Sequence, residues 1–276
     1  MVVDSALRLL SEISLGAIIG FSTAITGMGA AVLVVPIMIY AVGLTPISAV
    51  GTGMLYSMLT RIHASFEHIR LETVRKRTAI YIAIGSAPAV LVTSFAITHL
   101  GKSSNAYFDL IIELAIIVVM IVTWGMMLIN VIRTRKSCKD EDFYHPPEKF
   151  PFSRKVYGLI AGAGTGILVG ATSIGGGIFL IPILGTFFHL SPSNTVGTST
   201  IISVIMSAVG SIAYLLDGKV DISVALAMFV GSVPGVWIGS RLVVRIPHKM
   251  LLYILFLVVT VSILIMLIGT VRSKMP

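Results

Sequence analysis

Residues 13–42 read ISLGAIIGFSTAITGMGAAVLVVPIMIYAV, and residues 156–188 read VYGLIAGAGTGILVGATSIGGGIFLIPILGTFF. A helix that crosses a hydrocarbon core of roughly 30 Å needs about 20 residues, so each stretch is too long for one ordinary span. Small residues interrupt the first stretch at Thr26 to Gly29 and the second at Thr172 to Gly177, and a proline follows each interruption. Because glycine lets the backbone bend or approach another group closely, we expect both stretches to be broken there.

The composition is that of a membrane protein. Of 276 residues, 56% are hydrophobic and 12% are charged, and the mean hydropathy is +0.99. Soluble domains carry about 25% charged residues, so this chain lies far outside that class. The net charge of +8 is explained by the basic bias of cytoplasmic loops, although it would also attract anions towards a pore.

The two halves of the chain repeat each other at a constant offset of 146 residues. Val50-Gly51-Thr52 returns as Val196-Gly197-Thr198, and Gly85-Ser86 returns as Gly231-Ser232. Chance explains matched Leu and Val in apolar segments, but it does not explain matched Gly and Pro at one offset. The sequence therefore predicts an all-α polytopic membrane protein with two homologous repeats of about four hydrophobic segments, the first segment of each broken or re-entrant. The expected regions are an N-terminal repeat (1–132), a cytoplasmic basic linker (133–155) and a C-terminal repeat (156–276).

Two membrane topologies fit this pattern. If the long stretches are single tilted spans, the chain crosses eight times, the repeats are parallel, and basic residues divide 15 to 4 between the two faces. If each stretch folds back as a re-entrant hairpin, each half has three true crossings, the repeats are inverted, and the division is 14 to 5. The positive-inside rule does not separate these counts. Both place the linker in the cytoplasm and differ over the loop around Lys219, while the lengths of the two stretches favour the re-entrant arrangement.

The paired breaks have the character of a binding site for an anion. A second half-helix would begin after each glycine cluster, and a helix N-terminus offers free N–H groups and a partial positive charge. Close packing of small residues is the structural alternative, but interruptions that occur twice in register favour a site. The predicted substrate-binding residues lie in the breaks and in the polar starts of the following segments: Thr26, Gly27, Gly29, Thr52, Thr172, Ser173, Gly175, Gly176, Gly177, Thr198 and Ser199.

Four ionisable residues inside apolar segments are further candidates, for charge compensation or ion coupling. Such residues are rare in membranes and usually functional. Arg61 is the best candidate for a charge that faces the substrate, and His63 and Glu67 share a helix face and could pair or relay a proton. The alternative for these three, which their nearness to a basic loop favours, is that they reach the cytoplasmic interface. Glu113 is a weaker candidate for proton coupling.

Other classes of function find little support. The single cysteine, Cys138, has no partner thiol, and the histidines have no spacing typical of metal ligands. No catalytic set, metal site or cofactor is predicted, so we do not expect an enzyme. Nucleic-acid binding would need basic residues interleaved with aromatics on a soluble module, and the sequence has none.

At these residues the chain resembles the sulfite exporter TauE/SafE family of membrane permeases. The resemblance rests on Gly16 to Pro36 and Gly158 to Pro182, on Pro46 to Thr52 and Pro192 to Ser199, and on the central basic linker, and it covers essentially the whole chain. The first break departs from the pattern, because Ala30 and Ala31 stand where the second break has Gly176 and Gly177.

The resemblance implies a permease for a small anion, sulfite or another sulfur oxyanion or organosulfonate, in the cytoplasmic (inner) membrane. We therefore expect a secondary transporter that works by alternating access between the repeats. Its expected partners are the anionic substrate and the lipid bilayer, and a homodimer is left open. A cation or metal-ion permease is the alternative, although the scarcity of buried acidic residues disfavours it.

Overall fold

A computed structural model describes residues 2–26, 31–101, 106–134, 152–174, 176–177, 179–243 and 248–272, and these residues fold into ten α-helices. Each of the two long apolar stretches forms two helices, a long one before the break and a short one after it. The helices are α1 (Val2–Thr26), α2 (Ala31–Tyr40), α3 (Pro46–Arg70), α4 (Lys76–Leu100), α5 (Ala106–Thr134), α6 (Phe152–Thr172), α7 (Leu180–Thr186), α8 (Pro192–Leu216), α9 (Ile222–Val243) and α10 (His248–Arg272).

The surface of the helices is apolar, as a bilayer requires. On α5, Ile111, Leu114 and Val118 are exposed, whereas Ile112 and Ile116 on the opposite side are buried. A helix that is hydrophobic all round lies in a core or in a membrane. Five described segments are long and apolar enough to cross a bilayer: Lys76–Leu100, Phe108–Gly125, Ser153–Thr172, Asn194–Leu216 and Ile222–Gly239. The chain is thus an all-helical, multi-pass membrane protein.

Glycines bring the two halves into close contact. A Cβ on Gly231 of α9 would lie 1.9 Å from the carbonyl oxygen of Ile13 on α1, and one on Gly85 of α4 would lie 2.2 Å from that of Leu159 on α6. In both places only hydrogen fits between the backbones, which is how small residues allow helices to pack in membranes. The first half therefore contributes α1 to a pair with α9, and the second contributes α6 to a pair with α4.

The central pair, α3 and α8, runs antiparallel. A Cβ on Gly51, near the start of α3, would lie 2.8 Å from the carbonyl oxygen of Lys219, just after α8. A Cβ on Gly197, near the start of α8, would lie 2.4 Å from the hydroxyl of Thr73, just after α3. Each helix therefore begins where the other one ends.

Helices α5 and α10 also run antiparallel. The Tyr40 hydroxyl reaches both Glu113, in the first turns of α5, and Thr270, in the last turn of α10. Further along α5, the indole N–H of Trp124 donates to the hydroxyl of Thr260 at 2.9 Å. The core between all these helices is built mainly from Ile, Val, Leu and Met side chains.

Candidate functional site

The second break begins where a threonine ends α6. The Thr172 hydroxyl donates to the carbonyl of Leu168 at 2.7 Å and accepts the N–H of Ile174 at 3.2 Å. Ser173 adopts a φ of +58°, the left-handed conformation, which is uncommon for residues other than glycine. The Thr172 hydroxyl thus provides an acceptor for the Ile174 N–H just beyond the end of α6, and the chain turns sharply at Ser173.

The break lies in the interior, between helices of both halves. Ser173, Gly176 and Gly177 are buried. A Cβ on Gly53 of α3 would lie 3.3 Å from the Ser173 hydroxyl and 3.4 Å from Val34 of α2. Gly53 therefore lies beside both α2, the helix that follows the first break, and Ser173, the residue that opens the second break.

After the break the chain returns towards the start of α6. The helix α7 ends at Thr186, and the ring of the next residue, Phe187, stacks on Tyr157 in the second turn of α6 with 6.0 Å between centroids. A Cβ on Gly158 would lie 3.6 Å from the ring of Phe188. The end of α7 and the beginning of α6 are therefore neighbours.

Several of the predicted residues fall outside what the structure describes. Gly27, Gly29 and Gly175 lie outside the described residues, and of Thr26 only the backbone, the last residue of α1, is described. Within the described part, the structure brings Ser173 of the second break next to Gly53 of α3, the neighbour of Thr52.

The predicted hydroxyls on α3 and α8 take part in bonds between the halves. Thr52 accepts the N–H of Asp221 at 3.0 Å, and Thr198 accepts the N–H of Arg75 at 3.0 Å. Both threonines are fully buried. Because each acts here as an acceptor, its own hydroxyl hydrogen is still available as a donor. Ser199, by contrast, donates to the carbonyl of Val196 in the preceding turn at 2.9 Å.

The ionisable candidates lie on α3 and α5, apart from the break along the sequence. Arg61 is partly buried on α3, where the Ser65 hydroxyl donates to its carbonyl. His63 and Glu67 lie on the same helix, but their side chains are outside the described set. Glu113 is buried on α5 and accepts a hydrogen bond from Tyr40 at the end of α2.

Two polar residues, one beside the second break and one in the helix after the first break, were not predicted from the sequence. Ser203 of α8 places its hydroxyl beside Gly176, since a Cβ on that glycine would lie 2.8 Å from it. Tyr40 joins the helix after the first break to α5 and α10. The available signal for Ser203 was its match with Ser57 at the repeat offset, whereas Tyr40 aligns with Thr186 and gave none.

Comparison with known proteins gives concordant matches. A family model described as "Sulfite exporter TauE/SafE" matches residues 13–267. The chain is 29% identical over 252 residues to "Probable membrane transporter protein YjnA" of Bacillus subtilis (strain 168), covering 91% of this chain and 97% of that protein. It is 26% identical over 248 residues to "Probable membrane transporter protein YunE" of the same strain, covering 86% and 87%.

A third relative, "Probable membrane transporter protein" of Xylella fastidiosa (strain 9a5c), is 23% identical over 239 residues, with 86% of this chain and 85% of that protein covered. No solved structure matches the chain.

Proposed function

This chain belongs to the sulfite exporter TauE/SafE family of membrane transporters, and we propose that it carries a small anion, sulfite or another sulfur oxyanion or organosulfonate, across the cytoplasmic membrane. The observation that carries this proposal is the break after α6, where Ser173, Gly176 and Gly177 are buried between α3 of one half and α8 of the other. Irregular backbone survives inside a membrane only where protein or a cavity surrounds it. In secondary transporters that is where substrate binds.

We also propose that the two halves of the chain are structural repeats of each other. Helices α3 and α8 begin and end 146 residues apart, at Pro46 and Arg70 and at Pro192 and Leu216. Matched hydrogen bonds support the duplication further. The N–H of Ser48 donates to Thr45 at 3.4 Å, as that of Asn194 does to Ser191 at 3.4 Å. The turns also correspond, since the Leu44 N–H donates to Met38 and the Leu190 N–H to Leu184.

We propose that the repeats are inverted and that each long stretch is a re-entrant hairpin. If the halves are repeats, α3 corresponds to α8 and α5 to α10, and both pairs run antiparallel, which is what inversion requires. The stacking of Phe187 on Tyr157 supports the hairpin, because it brings the stretch back to the face where it entered.

In this topology the linker and the loop of residues 71–75 lie in the cytoplasm, and both termini lie on the other face. The three crossings of each half are α3 to α5 and α8 to α10. The division of basic residues, 14 to 5, agrees with the positive-inside rule.

In the proposed site, the glycines supply backbone donors and the hydroxyls supply further ones. Gly29, Gly175, Gly176 and Gly177 would present N–H groups to the oxyanion, because a residue without Cβ allows close approach. Alternating access would follow from movement of one repeat against the other around this point. The remaining proposed contacts are the side chains of Thr26, Thr52, Ser173 and Thr198, together with those of Thr172 and Ser199, whose hydroxyls would leave their helix carbonyls to donate to the anion.

Charged groups would set selectivity and coupling. Arg61, on the same helix as Thr52, is proposed as the cation that offsets the substrate charge. Glu113 is proposed as the coupling group because it is a buried carboxylate tied to the helix after the first break. His63 and Glu67 are the second candidates for a proton relay.

Transport by purified full-length protein in liposomes tests the proposal. Gly176→Leu and Gly177→Leu should abolish sulfite uptake in protein that stays folded, because both glycines are buried in the break. Gly164→Leu is the matched control, since α6 is exposed there and a Cβ meets nothing within 4 Å. Full uptake by both break variants would overturn the site.

The substrate class has its own test. Thermal stability of the purified protein would be compared with sulfite, thiosulfate, sulfoacetate, phosphate and divalent cations. Stabilisation by a sulfur oxyanion is expected. Stabilisation by cations alone would instead identify a cation permease.

A further inference from the structure

Ser203 differs from Ser199, Thr200 and Ser211 of the same helix, α8. Its side chain is 2% exposed, and its hydroxyl has no hydrogen-bond partner among the described residues. Ser199 and Thr200 both donate to the carbonyl of Val196, and Ser211 donates to that of Ala208. Serine in a helix can form this bond to the preceding turn. Ser203 does not, although it lies on the same helix.

The Ser203 hydroxyl faces the second break. A Cβ on Gly176 would lie 2.8 Å from this oxygen and 3.2 Å from the Cβ of Ser203. The absence of a side chain at Gly176 therefore leaves room for the hydroxyl beside the backbone of the break. A buried hydroxyl left without a partner costs stability, so a position that keeps one is a candidate for a ligand contact.

The chemistry of the hydroxyl agrees with the substrate class. A serine hydroxyl carries one donor hydrogen, and donation to an ionised oxygen gives a hydrogen bond roughly twice as strong as a neutral one. Ser203 and Gly176 come from different elements, α8 and the break, so an oxygen bound beside both would be held by groups from two elements.

We propose that Ser203 is a substrate-binding residue whose hydroxyl donates to an oxygen of the anion bound beside Ser173 and Gly176. This inference rests on the proposed function, and it adds a contact that neither the sequence nor the family comparison assigns. The ligand class is a small oxyanion with an unesterified oxygen, such as sulfite or a sulfonate.

Binding of sodium sulfite to the purified full-length protein, measured by calorimetry, is the first test. Ser203→Ala should weaken the affinity about tenfold or more, the usual effect of losing a hydrogen bond to a charged group. Ser211→Ala is the matched control, because it removes a buried hydroxyl of the same helix that already has partners, the Ala208 carbonyl and the Met58 sulfur. Its affinity should stay within about twofold of wild type, as expected for a residue outside the site.

Thermal stability without ligand separates a binding role from a structural one. Ser203→Ala removes a hydroxyl that has no described partner, so the melting temperature should stay unchanged or rise. Lower stability with unchanged sulfite affinity would overturn the proposal and make Ser203 a packing residue.

Coupling between the two positions gives a second test. In Gly176→Ala, the new Cβ must displace the Ser203 hydroxyl, so sulfite affinity should fall. In the double variant with Ser203→Ala, Gly176→Ala should lower the sulfite affinity by less than it does alone, because the hydroxyl that the new Cβ displaces is already gone. Fully additive losses would contradict the contact.

The outcome distinguishes this inference from the function on which it rests. If wild type binds sulfite and Ser203→Ala binds it equally well, only the role of Ser203 fails. If wild type binds none of sulfite, thiosulfate, sulfoacetate and phosphate, the proposed function itself fails.

Discussion

The hydroxyl oxygen of Thr52 accepts a hydrogen bond from the backbone N–H of Asp221 at 3.0 Å. Thr198 accepts one from the N–H of Arg75, also at 3.0 Å. The two threonines are 146 residues apart, and so are Arg75 and Asp221. A hydroxyl near the start of α3 thus accepts the backbone N–H of the residue that precedes α9. In the same way, a hydroxyl near the start of α8 accepts the backbone N–H of the residue that precedes α4. Each half therefore completes a loop of the other.

Thr52→Val and Thr198→Val should each destabilise the folded protein by about 1–3 kcal/mol, because an isosteric apolar side chain leaves a backbone N–H without its acceptor. Thr200→Val is the control, since that hydroxyl only returns to the Val196 carbonyl of its own helix. Thermal unfolding in detergent would measure the difference. Equal melting temperatures for Thr198→Val and Thr200→Val would show that the bond between the halves contributes nothing.

Gly85→Ala and Gly231→Ala should be severely destabilising and comparable to each other. Each new Cβ would meet a backbone carbonyl of the partner helix, which cannot move aside as a side chain can. Gly164→Ala, where a Cβ meets nothing within 4 Å, should be neutral or stabilising by up to about 1 kcal/mol through helix propensity. The folded fraction in size-exclusion chromatography and the melting temperature would check this. Tolerance of alanine at both glycines would contradict the close α1–α9 and α4–α6 pairing.

The inverted arrangement predicts that the loops of residues 71–75 and 217–221 lie on opposite faces of the membrane. In a background without Cys138, Leu71→Cys should react with an impermeant thiol reagent from the cytoplasmic face, and Lys219→Cys only from the other face. Labelling of right-side-out and inside-out vesicles measures this directly. Parallel repeats would place both cysteines on the same face, so a shared labelling pattern rejects inversion.

Asp221 caps α9 and should make stability depend on pH. Its carboxylate accepts the Val224 N–H at 3.1 Å and the Ser223 hydroxyl at 2.7 Å. Partial burial raises the pKa of Asp221, but hydrogen bonds from Ser223 and from the N–H groups of Val224 and Ser223, together with the charge of Arg8, outweigh it and leave the pKa below its usual value. A lowered pKa means that the ionised form stabilises the folded state at pH values above about 3.9, and that this contribution is lost as the pH falls through the folded-state pKa.

Asp221→Ala should therefore cost about 0.5–2 kcal/mol at neutral pH, the usual value of an N-cap, and less in acid. Glu72→Gln, an exposed charge change before α4, serves as the control. Melting temperatures between pH 7 and pH 3 would be compared for both variants and wild type. A deficit of Asp221→Ala that stays constant across this range would contradict the role of the ionised carboxylate.

The sequence predicted the positions of the helices well where glycine and proline mark them. The offset of 146 residues anticipated that Pro46 and Pro192 occupy equivalent places, and both begin a helix. These residues act through local backbone geometry, which a sequence pattern records directly. The break of the second stretch at Ser173 follows from the same local signals.

Tertiary relationships could not be predicted in this way. Basic residues divide almost equally well under parallel and inverted repeats, so charge gave no signal for the direction in which α3 meets α8, and only the lengths of the two long stretches favoured inversion. Ser203 is distinguished from Ser199 only by the bond that it does not make to its own helix, and that depends on where the break packs. The hydrogen bond of Glu113 likewise depends on a partner, Tyr40, that lies 73 residues away.

Tyr40 and Glu113 join the helix after the first break to the rest of the protein. The Tyr40 hydroxyl donates to the Glu113 carboxylate on α5 and lies 3.0 Å from the Thr270 hydroxyl on α10. Tyr40→Phe should destabilise the protein by about 1–3 kcal/mol because the buried carboxylate loses its donor. Glu113→Gln should be milder, since the amide oxygen still accepts the hydrogen bond.

Transport separates coupling from stability in the same pair. If Glu113 is the coupling group, Glu113→Gln cannot exchange a proton, and sulfite uptake into liposomes should no longer respond to an imposed pH gradient. Tyr40→Phe keeps the carboxylate and should keep that response, even where its stability is lower. Uptake by Glu113→Gln that follows the gradient as wild type does would leave Glu113 as a structural acceptor for Tyr40, and the coupling role would then pass to His63 and Glu67 on α3.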